Sequence, residues 1–233
     1  MTWLGHSGFL VEPDQGASPF AFDPWLANPK APPDAAALAA RAGVVLLTHG
    51  HFDHIDSIAQ IVRSSGATVL TTDELSSELS SEGVPAEQLV GYNIGGSVTR
   101  EGITATLVQA HHSSSRRGPD GRPRELGTPC GFVVELPGGP VIYNTGDTGV
   151  FGDMALIAEL YSPEIMFLPI GDFYTMGARQ AAKAVELVRP RWIVPQHYDT
   201  FGLLTGTIDA FRDALAPEFR ERVIRLEPGK AHS

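Results

Sequence analysis

The sequence predicts an α/β (α+β) fold, a four-layer αββα sandwich made of two similar halves, and three observations carry that expectation. Strand-like and helix-like stretches alternate along the chain, the same order recurs in its second part, and histidines and aspartates stand where apolar strands end. Two mixed sheets with outer helices bury one sheet face against the other. With 233 residues, 42% of them hydrophobic, one substantial core is possible, and no linker-like stretch divides the chain. Residues 1–233 are therefore expected to form a single domain.

Each element has its own reason. Residues 8–12 and 20–23 are strand-like and flank a turn-rich Pro13-Asp14-Gln15-Gly16, as in a hairpin. Residues 33–42 open with Pro33 and are alanine-rich, which fits a short helix. A buried strand over 43–48 contains Val44-Val45-Leu46-Leu47. Ile55, Ile58, Ile61 and Val62 are spaced for one helix face. A strand at 68–70 and a helix at 73–82 complete the first half. In the second, strands are expected at 103–108, 131–136, 140–144, 165–168 and 192–194, with a closing strand at 223–226. Helices are expected at 153–160, 177–189 and 207–216. Gly95-Gly96 and Gly138-Gly139 read as hairpin turns.

Composition excludes several function classes. A net charge of −10 disfavours broad nucleic-acid binding, which relies on clustered Lys and Arg. Cys130 is the only cysteine, so neither an intrachain disulfide nor a thiolate metal cluster is possible, and a small buried apolar role is expected for it. Met1 leads directly into Thr2-Trp3-Leu4, without a basic stretch and apolar run, and no apolar segment is long enough to span a bilayer. A cytoplasmic protein with no membrane association is the expectation. Trp25, Phe151 and Phe173 fit either the core or an interface in a homo-oligomer.

The chemistry concentrates in His49-Gly50-His51-Phe52-Asp53-His54. A strand places residues two apart on the same side, so His49 and His51 can converge on one cation if the chain stays extended. Asp53 and His54 follow a turn and suit a second cation a few ångströms away. Imidazole and carboxylate together suit zinc, manganese or iron at a hydrolytic centre. His111-His112, Asp147 and His197 also stand at strand ends, where side chains from several strands meet in one cleft. Residues 113–129 form the one long polar stretch. Arg116, Arg117, Arg122 and Arg124 make it locally basic, either as a solvated loop or as an anion-binding flap over the site.

With these residues in view, the chain resembles the metallo-β-lactamase superfamily, and within it the bacterial and archaeal metal-dependent hydrolases related to the L-ascorbate-6-phosphate lactonases. The resembling blocks are Trp3-Leu4-Gly5-His6-Ser7, Asp23-Pro24, Thr48-His49-Gly50-His51-Phe52-Asp53-His54 and His112-Ser113-Ser114. They continue through Gly131-Phe132, Asn144-Thr145-Gly146-Asp147-Thr148, Leu168-Pro169-Ile170-Gly171-Asp172, Thr175-Met176-Gly177 and His197-Tyr198, so nearly the whole chain is covered in order. The resemblance implies the metallo-β-lactamase fold and two divalent ions, with zinc first and manganese or iron compatible. It implies that His49, His51 and His112 bind one metal, that Asp53, His54 and His197 bind the second, and that Asp147 bridges both. His112 rather than His111 is implied, because the family ligand stands directly before a small Ser or Gly. His6, Asp23 and Asp172 match positions near the centre and are expected to act from behind the ligands.

Hydrolysis then needs no side-chain nucleophile. Two nearby cations share a water, lower its pKa toward ~7, and the bridging hydroxide attacks a small ester, lactone or phosphodiester, with Asp53 accepting the proton. No Gly-x-Ser-x-Gly elbow and no phosphate-cradling Gly-x-x-x-x-Gly-Lys is present in the sequence. The expected partner is a small-molecule substrate, and an anionic one is compatible with the Arg-bearing stretch. The competing readings are an iron-dependent oxygen or sulfur redox enzyme on the same scaffold and a non-catalytic binding module.

Overall fold

The computed structural model of the chain describes residues 1–118 and 120–233. Pro119, inside the polar stretch 113–129, lies outside the described residues.

A first six-stranded sheet is ordered β1 (Thr2–Gly5), β2 (Gly8–Val11), β3 (Phe20–Phe22), β4 (Val44–Leu46), β5 (Thr68–Thr72) and β6 (Leu89–Tyr92). Its first three strands are antiparallel neighbours, and the last three run parallel to β3. Helices α1 (Ala35–Ala39), α2 (Phe52–Ile55), α3 (Ile58–Ser65) and α4 (Asp73–Ser81) lie between these strands in sequence. The second half contributes β7 (Ser97–Arg100), β8 (Ile103–Gln109), a small ribbon of β9 (Ser115–Arg117) and β10 (Pro123–Glu125), then β11 (Cys130–Glu135), β12 (Val141–Asn144), β13 (Ile165–Pro169) and β14 (Trp192–Gln196). The second sheet is ordered β14-β13-β12-β11-β8-β7, with α5 (Met154–Tyr161), α6 (Ala178–Val188), α7 (Ile208–Ala214) and α8 (Pro217–Arg220) completing that half.

The layers follow from the two-residue period of a strand. Phe20, Phe22, Val44 and Leu46 join one apolar cluster with Leu107, Phe132, Phe167 and Val194 of the other sheet. Their sequence neighbours Ala21, Val45 and Leu47 join a second cluster with Ile58, Ile61, Val62, Leu75 and Leu79 of the helices. Strands covered on both faces read as continuous apolar runs, as Val44-Val45-Leu46 does. On the second sheet, Ala181, Val185 and Val188 of α6 pack into the inter-sheet cluster's continuation.

Several boundaries differ from the sequence reading. Residues 2–5 form a strand, β1, and β6 and β7 were not expected because Leu89–Tyr92 and Ser97–Arg100 are only half-buried or exposed and carry little apolar signal. Gly95-Gly96 is not a hairpin turn: β6 pairs with β5 and β7 with β8, so the glycines carry the chain from one sheet to the other. Gly138-Gly139 does close the β11–β12 hairpin. The helix expected over 33–42 is only five residues long, and the apolar face from Ile55 to Val62 is split between α2 and α3. Residues 223–226 are not a strand. Val223 makes a single bridge to Ile193, after which the chain crosses to the opposite sheet edge, where Ala231 bridges to Thr2. No helix among the described residues is long and apolar enough to cross a membrane.

Candidate metal centre

Strands β1, β3, β4, β8, β12, β13 and β14 all end at the same edge of the sandwich, and their outgoing loops carry His6, Asp23, His49, His112, Asp147, Asp172 and His197. Several of these loops turn through left-handed backbone that a side chain rarely adopts: φ is 53° at His6, 37° at Asp23 and 52° at His197. Such strained residues persist only where the surroundings over-determine them, and they gather at functional sites. Close packing also demands glycine at position 171, where an added Cβ would stand 2.0 Å from the carbonyl oxygen of His197.

Nine of the ten expected side chains come together. The ring nitrogens of His49, His51 and His112 lie within 4.8 Å of one another, as do donor atoms of His6, Asp53, His54 and His197. Between the two groups stands Asp147. Its Oδ2 is 3.0 Å from His197 Nε2, 3.4 Å from His54 Nε2, 3.8 Å from His112 Nε2 and 3.9 Å from His49 Nε2. Asp23 stands behind, accepting from the backbone N–H of Thr48 at 2.8 Å and its hydroxyl at 2.7 Å, with His54 Nδ1 at 2.9 Å. Asp172 is the exception. It is exposed, outside both groups, and its carboxyl lies against Gly177 at the N-terminus of α6, where a negative charge complements the helix dipole. His111 also turns away, stacking on Phe151 with centroids 4.5 Å apart.

The electrostatics separate the groups. Burial pushes His49 well below the ordinary imidazole value, lowers His112, and with the nearby His112 brings His51 down to about 4. These three are neutral and offer lone pairs. The Thr48 hydroxyl already donates to Asp23, so it accepts from His49 Nδ1–H at 3.0 Å, leaving His49 Nε2 as an acceptor that faces the cluster and meets His51 Nδ1 at 3.0 Å. In the other group burial opposes charge but loses. Asp147 and Asp23 raise His54, while His197 and His54 hold Asp147 well below the carboxylate range. Burial would raise Asp53 too, yet the hydrogen bond from His6 and the nearby His54 bring it to about 2. Burial and His197 lower His6 to about 4.

This donor set fits a cation. Nδ1 of His197 and Oδ1 of Asp147 are buried without a hydrogen-bond partner among the described residues, and the ring nitrogens of His54 approach the Asp23 and Asp147 carboxylates without hydrogen-bond geometry. Buried polar atoms left unsatisfied are costly, and buried carboxylates are normally paired or bound to metal. Three buried carboxylates, Asp23, Asp53 and Asp147, are gathered among these imidazoles, and Asp147 and Asp23 favour a proton on His54.

The sequence reading gives no role to the supporting residues: Ser114 and Asn144 stand only as members of the resembling blocks, and Thr200 is absent from it. Thr200 Oγ1 meets His6 Nδ1 at 3.0 Å, Ser114 Oγ accepts from Gly50 N–H at 3.1 Å, and Asn144 Oδ1 accepts from Gly146 N–H at 2.9 Å, shaping the turn that presents Asp147. Ser and Asn in loops are common, so only proximity reveals them. The cluster lines a cavity of about 800 Å³ together with Phe52, Tyr174, Phe201 and Leu203 and with Ser115, Arg116, Arg117 and Pro123 of the ribbon. Arg116 pairs with Asp56 and Glu82, Arg124 with Glu78, and Arg122 approaches Asp120 at 3.9 Å. Among the described residues, Arg117 alone of the four has no carboxylate partner.

Residues 14–198 match the model of the Beta-lactamase superfamily domain. A UPF0173 metal-dependent hydrolase of Herpetosiphon aurantiacus is 42% identical over 233 residues, covering 99% of this chain and 96% of that one. One of Methanosarcina mazei is 42% identical over 232 residues, covering 99% and 96%. The solved structure of Igni18, a metallo hydrolase from the archaeon Ignicoccus hospitalis, is 34% identical with a TM-score of 0.85, covering 98% of this chain and 95% of that one.

Proposed function

The chain belongs to the β-lactamase superfamily, in its family of metal-dependent hydrolases, and we propose that it cleaves a small ester, lactone or phosphodiester at a centre of two divalent cations. The observation that carries this reading is the position of Asp147 Oδ2 within 3.9 Å of imidazoles from both donor groups. His49, His51 and His112 would hold one cation, Asp53, His54 and His197 the other, and Asp147 both. When bound, the ions would supply a water of lowered pKa and an electrophilic contact for the oxygen that gains charge, and zinc suits the donors best.

The chain's own residues do the rest. Asp53, ionised throughout the neutral range, accepts the proton of the attacking water and returns it to the leaving group. His6 holds Asp53 through Nε2 at 3.1 Å, and Asp23 fixes the ring of His54. Arg117, which donates to the Gly121 carbonyl at 2.9 Å and has no carboxylate partner among the described residues, is the ribbon cation that would meet an anionic substrate group. The reading treats residues 1–233 as one domain acting in the cytoplasm.

Elemental analysis of protein purified without added metal, followed by turnover assays on lactones, phosphodiesters and esters, tests it. About two equivalents of divalent ion and chelator-sensitive hydrolysis are expected. Iron content with dioxygen consumption and no hydrolysis would favour the redox reading instead.

A further inference from the structure

The lining of the cavity is not uniform. On the ribbon side Arg116 is already neutralised by Asp56 and Glu82. Elsewhere in the lining the apolar surface is uncovered: Phe52 is 51% exposed, Tyr174 52% and Leu203 51%. Exposed apolar surface gathered in one place marks a binding site more often than scattered residues do.

This wall is built rather than incidental. The Phe52 ring packs edge-on against Trp25 at 5.5 Å and reaches Phe201 at 6.4 Å, while Trp25 and Phe201 each meet the ring of His6, at 5.6 and 5.5 Å. Phe52 and Phe201, which line the cavity, are thus linked by ring contacts to His6 of the donor cluster. At the far rim Asp172 and Phe173 both adopt left-handed backbone, φ 65° and 57°, and the Phe173 ring, 64% exposed, buttresses Tyr174 at 4.7 Å. A bulky residue held in that conformation at a cavity edge is the kind of strain retained for function.

We propose that the substrate carries an apolar alkyl or aryl group that lies along Phe52, Phe201, Leu203 and Tyr174 while its scissile group sits over the His/Asp cluster. This rests on the hydrolytic reading above and narrows it to amphiphilic esters, lactones or phosphodiesters. The occupant is the substrate, because these residues line the same cavity as the donors.

The test uses the zinc-loaded chain and two series. Hydrolysis of 4-nitrophenyl acetate, hexanoate and decanoate is measured beside binding of the matching free carboxylates, followed by fluorescence of Trp25, with Trp25→Phe as the control for signal origin. kcat/KM and carboxylate affinity should each rise about two- to fourfold per methylene until the wall is covered, about fourfold being the value for full burial of a CH2. Phe52→Ser and Leu203→Ser should flatten both slopes, and Leu160→Ser on α5, exposed but away from the cavity, should leave them steep. Flat series in the parent chain, or slopes that survive both wall substitutions, overturn the proposal. So does sedimentation showing that Leu203→Ser dissociates a dimer without altering the slopes. Because carboxylate binding needs no turnover, a steep binding series without metal-dependent hydrolysis would preserve the apolar subsite and defeat the hydrolytic reading, whereas hydrolysis with flat series does the reverse.

Discussion

The two donor groups at the strand edge are chemically unlike. His49, His51 and His112 form an all-imidazole set that burial keeps neutral, whereas the second group contains Asp53 and stands against Asp147 and Asp23, which favour a proton on His54. The first set has little to lose when a cation arrives. The second must give up the proton that Asp147 and Asp23 favour on His54. The difference teaches that preorganisation has two forms, lone pairs held ready by desolvation and negative charge held ready by a displaceable proton.

The hub between the groups gives the largest expected effect. Asp147→Ala should abolish retention of both cations and lower kcat/KM by at least about a thousandfold, since a metal contributes several kcal/mol to such chemistry. Metal content by mass spectrometry and a circular-dichroism spectrum check it, and full activity would dissolve the comparison. Asp23→Asn removes a carboxylate that meets His54 of the second group directly and His49 of the first only through Thr48, so the second equivalent should weaken more than the first, by about 10- to 100-fold. Equal weakening of both equivalents in calorimetric titration would show that the groups are not separable.

The pH dependence sharpens the same contrast. The pKa of His54 is raised, so below it the metal-free protein binds a proton there that a cation must displace. Affinity for the second equivalent should therefore fall as pH falls, by up to about tenfold per unit for one displaced proton. With His51 near 4 and His49 lowered well below the usual value, the first equivalent should hold its affinity from pH 8 down to about pH 6. Zinc titrations at pH 6, 7 and 8 measure both, and parallel curves would contradict the assignment. The smallest effect belongs to His111→Ala, which should keep both metals and lose only about 0.5–1.5 kcal/mol of stacking on Phe151.

Much of this was legible in the residues. Val44-Val45-Leu46 followed by His49, His51, Asp53 and His54 announces a buried strand delivering donors, because apolar runs and strand-end polarity are local signals. The half-exposed edge strands β6 and β7 were not legible, since pairing with a neighbour rather than composition makes them strands. Asp172 misled for a related reason. It follows β13 as Asp147 follows β12, but its left-handed backbone swings the carboxyl toward α6, and backbone twist is not written in residue order. The aromatic wall escaped as well, because Trp25, Phe52, Tyr174, Phe201 and Leu203 are far apart in sequence and meet only through loop packing.

Anomalous diffraction from crystals of the zinc-loaded chain tests the central claim most directly. Two peaks are predicted, one among His49, His51 and His112 and one among Asp53, His54 and His197, with the Asp147 carboxylate in contact with both. Zinc found only at surface residues, with the imidazoles of the cluster hydrogen-bonded to one another instead, would contradict the account.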